Sequence, residues 1–152
     1  MSDKRVVYTA QSKQYFYCRD AVCQFVFQRQ AIPLNPFRMF DYFLSDRVER
    51  DDIRAANNEM ISRCDEVWVF GDTLADGVLL EIALAAAKNK PIRYFTINNS
   101  ADRIEELSRD SLRFEAEVLG AGLTEQQLLD QALSGRVSDL LAALGRPARV
   151  AV

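Results

Sequence analysis

The chain has 152 residues, the size of one ordinary domain, and its 49% hydrophobic and 27% charged residues describe a globular core under a solvated surface. Its net charge is −3, with acids and bases mixed along the chain, so there is no basic stripe for a phosphate backbone and polymeric nucleic acid is not an expected partner. It contains no histidine, which excludes Ser-His-Asp and Cys-His catalysis, histidine zinc sites and imidazole acid–base chemistry.

Catalysis would have to run on carboxylates, hydroxyls, amides, Lys/Arg or an added cofactor, and no metal or other cofactor is expected. The three cysteines, Cys18, Cys23 and Cys64, are odd in number and irregular in spacing, so reduced, buried thiols are expected. No apolar run reaches the roughly 18 residues of a membrane span, and no signal-peptide core follows Met1. A cytoplasmic protein without membrane contact is the expectation.

Residues 5–9 read as a short buried strand ahead of a polar loop, 10–14. Residues 15–30 read as a helix, with Cys18, Ala21, Val22, Phe25 and Val26 on one face. A second strand, 31–35, ends at Asn35-Pro36, because proline cannot extend a central ladder. An aromatic-rich loop or short helix, 37–44, and a longer helix, about 46–64, follow. Residues 66–70 (Glu-Val-Trp-Val-Phe) form a near-continuous apolar run, as expected of a strand covered on both faces. A loop, 71–77, then leads into a helix, 78–89, and a fourth strand, 92–96.

This alternation predicts an α/β fold with a parallel, doubly wound sheet of four to five strands flanked by helices. After Asn98 the pattern is mainly helical. Thr124 with Gln127 reads as a capping box, and Gly135 and Gly145 as helix stops. The expected division is an α/β core over 1–98 and a helical extension over 99–152, packed on the core or on a partner subunit.

The segment Gly71-Asp72-Thr73-Leu74-Ala75-Asp76-Gly77 feeds a run in which Glu81 is the only polar residue between Val78 and Ala87. A carboxylate on a buried helix is costly unless it has a partner or faces a cavity. Positions 77, 78, 84 and 85 hold no cation to pair with it, so Glu81 is a candidate functional group at the carboxyl end of a strand. A first-turn position would add the favour of the helix dipole. Asp76 has two readings, helix N-cap or ligand contact. Gly77 also has two, a positive φ or close approach of a ligand to the backbone. Phe37, Phe40, Tyr42 and Phe43 are available either to stack on a base or to pack in a core.

Tyr8 at the end of the first strand, Asn35-Pro36 after the second, Cys64-Asp65-Glu66-Val67-Trp68-Val69-Phe70, Asp76-Gly77-Val78-Leu79-Leu80-Glu81 and Lys90-Pro91-Ile92 together resemble the nucleoside 2-deoxyribosyltransferase-like superfamily. The resemblance covers roughly residues 5–96. It implies a flavodoxin-like (Rossmann-type) fold and a glutamate nucleophile, matched by Glu81, that attacks the anomeric carbon of a nucleoside or nucleotide. It implies that Tyr8 orients that nucleophile, and that Asp76, Gly77, Thr9, Asn35, Phe37 and Asn57 lie where substrate contacts are made. It also implies a homodimer or higher homo-oligomer. The chain departs from the family in its first loop, Ala10-Gln11-Ser12, at Asn57 or Asn58 where a sugar-binding aspartate is usual, and at Ala83 where glycine is usual. These departures keep open a catalytically silent nucleotide-binding or sensor module, and the apolar run Val78–Ala87 with the C-terminal helices keeps open an oligomeric interaction protein.

Overall fold

The computed structural model describes residues 3–41, 47–119 and 124–145. The protein is α/β, with a mainly parallel five-stranded sheet between helical layers. Strands β1 (Val6–Gln11), β2 (Ile32–Leu34), β3 (Glu66–Phe70), β5 (Ile92–Phe95) and β6 (Glu106–Leu107) lie in the order β2-β1-β3-β5-β6. Only the last pairing, β5 with β6, is antiparallel. Two-residue strands β4 (Thr73–Leu74) and β7 (Arg113–Phe114) form a separate parallel ladder. With β4 set aside, the main sheet has the 2-1-3-4-5 order of a flavodoxin-like fold, whose order reverses between β1 and β3.

Helices α1 (Arg19–Gln28), α2 (Pro36–Met39), α3 (Arg50–Arg63), α4 (Asp76–Ala87), α5 (Ala116–Leu119), α6 (Glu125–Leu133) and α7 (Val137–Ala143) complete the described structure. Strand alternation sorts the core into two clusters. Tyr8 and Ala10 of β1, Val67 and Val69 of β3, and Tyr94 of β5 face α4, the C-terminal part of α3, α6 and α7. Val7, Trp68, Phe70 and Phe95 face α1 instead. Helix α4 is buried on most sides, as its sequence demands, because it is packed against α3, α6 and α7 as well as the sheet.

Several boundaries differ from expectation. Strand β1 runs on through Ala10 and Gln11, which pair with Val69 and Phe70, so the expected loop starts only at Ser12. The expected helix over 15–30 is divided: a 3-10 segment, Lys13–Cys18, precedes α1. Helix α4 starts at Asp76, two residues early, and its N-cap position is held by Ala75. The stretch after Asn98 begins with β6, β7 and two 3-10 turns, and is α-helical only from α5 onward. These strands were invisible as pattern because two residues carry no period.

Near the C-terminus the signals and the structure agree. Thr124 and Gln127 form a capping box at the start of α6, with both reciprocal bonds present. Gly135 has a φ of 69°, and a Cβ there would come within 2.8 Å of the Ala87 backbone, so α6 can stop against the end of α4 only with glycine. All three cysteines are free; Cys18 and Cys64 are buried and Cys23 is partly exposed. Among the described residues no helix is long and apolar enough to cross a membrane.

Candidate active site

Glu81 and Tyr8 meet on the α4 face of the sheet, and Tyr8 comes from the middle of β1, not from its end, because the strand runs on to Gln11. Tyr8 is an even-numbered residue of β1 and so points to the α4 face, where it is fully buried. Its phenol donates a hydrogen bond to Glu81 Oε2. Glu81 is partly exposed and lines a cavity of about 350 Å³. Burial pushes its carboxyl up from the usual range to about 7, and the bond from Tyr8 limits the rise. The Tyr8 phenol is held well above its ordinary value, first by burial and then by the Glu81 carboxylate. It therefore acts as a donor at any ordinary pH and does not compete with Glu81 for ionisation.

The helix start moves Glu81 out of the first turn of α4. With α4 beginning at Asp76, Glu81 sits in the second turn, beyond the reach of the helix N-terminal field. Its isolation among apolar neighbours and its bond to Tyr8 are what set its chemistry. Asp76 is the first residue of the helix and is not the N-cap; its Oδ1 accepts from the Gly77 N–H at 2.7 Å, and it lines the cavity. Gly77 does not have a positive φ. A Cβ there would meet nothing within 4 Å, so the open space beside it is the cavity mouth.

The other sequence-selected residues divide into two groups. Phe37 and Asn57 line the cavity, with Phe40 beside them. Phe37 also packs edge-on against Phe16 at 5.9 Å, so one ring serves both packing and the cavity wall. Asn57 Oδ1 is buried with no hydrogen-bond partner, an acceptor left open at this wall. Tyr42 and Phe43 lie outside the described residues. Thr9 and Asn35 do not line the cavity. Thr9 is buried and its hydroxyl reaches Leu34 O at 3.4 Å. Asn35 caps α2 by accepting from Arg38 N–H and donates to Gln11 Oε1 at 2.8 Å. Its part is to fix Gln11, which does line the cavity and donates in turn to Tyr15 O.

The cavity also contains residues that sequence reasoning did not select. Arg50, Ile53 and Arg54 line it from α3 at three-, four- and seven-residue spacings from Asn57, so helical periodicity projected from Asn57 would have found them. Arg54 is paired with Asp51 at 3.2 Å. Ser12 and Lys13 follow directly from the end of β1. Glu115 arrives from the far end of the chain, held by Ser12 Oγ at 2.7 Å, and nothing local in the sequence signals it. Among the described residues no group of acidic or sulfur ligands is arranged to hold a metal ion.

One cavity thus holds a carboxylate bonded from behind by a buried phenol, together with an aromatic wall and several polar groups. No curated protein matches the chain. Residues 7–95, more than half of the chain, match the model of a family described as a domain of unknown function, DUF7768, and the protein belongs to that family.

Proposed function

We propose that the protein cleaves the N-glycosidic bond of a nucleoside or nucleotide, with Glu81 as nucleophile and Tyr8 as its orienting partner. The observation that carries the proposal is the Tyr8–Glu81 hydrogen bond at the edge of the cavity. A carboxylate with little solvation and one fixed partner is poised to attack or stabilise an electron-poor carbon. In the first step a Glu81 oxygen bonds to the anomeric carbon and the C–N bond breaks, its electron pair leaving with the base. In the second, water or another base attacks the same carbon and the Glu81 ester bond breaks, which is the double displacement of retaining glycosidases. Phe37 and Phe40 supply ring faces for a base. The resemblance to nucleoside 2-deoxyribosyltransferase-like proteins supports the same reading.

The test is base release from a panel of ribo- and deoxyribonucleosides and their monophosphates, followed by chromatography. Glu81→Ala should lower the rate about 10³-fold or more while the protein remains folded. Mass spectrometry of quenched wild type should find a sugar adduct on the peptide carrying Glu81. Absence of base release from every member of the panel, or a Glu81→Ala variant as fast as wild type, ends the enzyme reading. Binding without release would instead make the cavity that of a sensor module.

A further inference from the structure

The family segment ends at residue 95, yet one of the carboxylates that line the cavity, that of Glu115, comes from beyond it. The β4–β7 ladder brings it there. Arg113 N–H donates to Asp72 O at 2.6 Å and Glu115 N–H to Leu74 O at 2.9 Å, so residues 113–115 are laid along the loop that leads into α4. The Glu115 side chain then reaches across to the end of β1. Ser12 Oγ donates to its Oε2 at 2.7 Å, and Gln14 Nε2 lies 3.5 Å from its Oε1. Ser12 is itself buried, and its hydroxyl also accepts from Gln14 N–H.

We propose that Glu115 is the sugar-recognising carboxylate of the cavity, accepting hydrogen bonds from adjacent ring hydroxyls of the ligand. This rests on the reading of the ligand as a nucleoside or nucleotide. Glu115 has acceptor capacity that the protein does not use. An ionised carboxylate offers about four acceptor positions, and Glu115 uses two, both toward neutral donors. Among the described residues no Lys or Arg forms an ion pair with it. Its charge therefore faces the cavity with lone pairs free, on two neighbouring oxygens. Two neighbouring acceptors match two neighbouring hydroxyls, as on ribose, better than a single hydroxyl. Ser12 holds the carboxylate in one orientation, so the ligand meets a preorganised acceptor. A clamp alone, joining Ser12 to the segment after β7, is the competing role.

Calorimetric binding of the four ribonucleosides and their 2′,3′-dideoxy counterparts separates the two, with base release by wild type measured alongside. Wild type should favour the ribonucleosides. Glu115→Gln should weaken their binding by about 10- to 100-fold, the range for a hydrogen bond to a charged group, and change dideoxynucleoside binding little. Ser12→Ala keeps the charge and removes its tether, and should lower the ribo/dideoxy ratio by less. It serves as the second measurement if Glu115→Gln does not fold. A ribo/dideoxy ratio unchanged in the variant that folds overturns the inference; if wild type still releases base, the proposed function stands without it. A wild-type protein that neither binds nor cleaves any nucleoside overturns both.

Discussion

The two faces of the central sheet are built from different materials. The face under α1 is aromatic: Phe25, Trp68, Phe70 and Phe95 contact one another, with ring centroids 5.0–6.3 Å apart. Arginines close its edges. Arg5 and Arg93 lie over Trp68, and Arg29 lies over Phe25. The face under α4 is mainly aliphatic and is covered by more helices. It alone carries a buried phenol bonded to a carboxylate. On the α1 face Arg5 and Arg93 are paired with Glu66 and Glu106, while the other face leaves an acid raised to about 7 beside a cavity. Strand parity separates an aromatic face from one that holds a buried phenol–carboxylate pair.

The largest expected effect breaks the aromatic face. Trp68→Ala removes a fully buried ring and should cost about 3–5 kcal/mol in denaturant unfolding. Base release per folded molecule should stay near the wild-type level, because Trp68 points away from the cavity. If Trp68→Ala were to abolish activity without unfolding the protein, the division of labour between the faces would be wrong.

The next effect concerns the reactive face. Tyr8→Phe should slow base release about 10- to 100-fold through loss of a hydrogen bond to a charged group. The pH profile gives the sharper readout. In the proposed reaction the ionised form of Glu81 attacks, so wild-type kcat/KM should rise with pH and level off above about 7. The phenol lowers the Glu81 value, so its removal should move the midpoint of that rise upward. A midpoint that stays fixed or moves downward would show that the phenol does not stabilise the carboxylate.

Glu81→Gln addresses stability on the same face. The folded-state value of Glu81, about 7, lies above its unfolded value near 4.5, so the native state holds the proton more tightly. The contribution of Glu81 is fully favourable below pH 4.5 and is lost as pH rises through 7. Glutamine is never charged. At pH 8 Glu81→Gln should therefore be more stable than wild type, on the order of 2 kcal/mol given the partial exposure of Glu81, and the gain should shrink toward pH 4.5. Equal thermal midpoints for the two proteins across this range would contradict the buried-acid argument. The smallest effect is Arg93→Ala, which removes an exposed pair with Glu106 and a ring contact and should cost about 1 kcal/mol or less.

The features that were legible in the sequence are those whose cause lies within a few residues. The apolar run from Glu66 to Phe70 is a strand because both of its faces are covered, and Gly135 stops α6 because only glycine takes its φ beside Ala87. Glu81 was legible as an anomaly, one charge in an apolar helix. Asn35 was selected for the right neighbourhood, but its side chain is spent on capping α2 and holding Gln11. The start of α4 was misplaced because Ala75, a poor capping residue, holds the N-cap while Asp76 turns its carboxylate to Gly77.

By itself the sequence determined the order and type of the main elements, the absence of imidazole chemistry and the oddity of Glu81. Periodicity, caps and composition act locally and so can be read along the chain. Tertiary structure decided what Glu81 meets. Tyr8 is 73 residues away, and their bond depends on β1 lying beside β3 with its even-numbered side chains turned toward α4. It also decided that Ser12 and Glu115, 103 residues apart, share a hydrogen bond, through a ladder of two residues per strand. Contacts at that separation arise from the packing of whole layers, and no short window of sequence contains their cause.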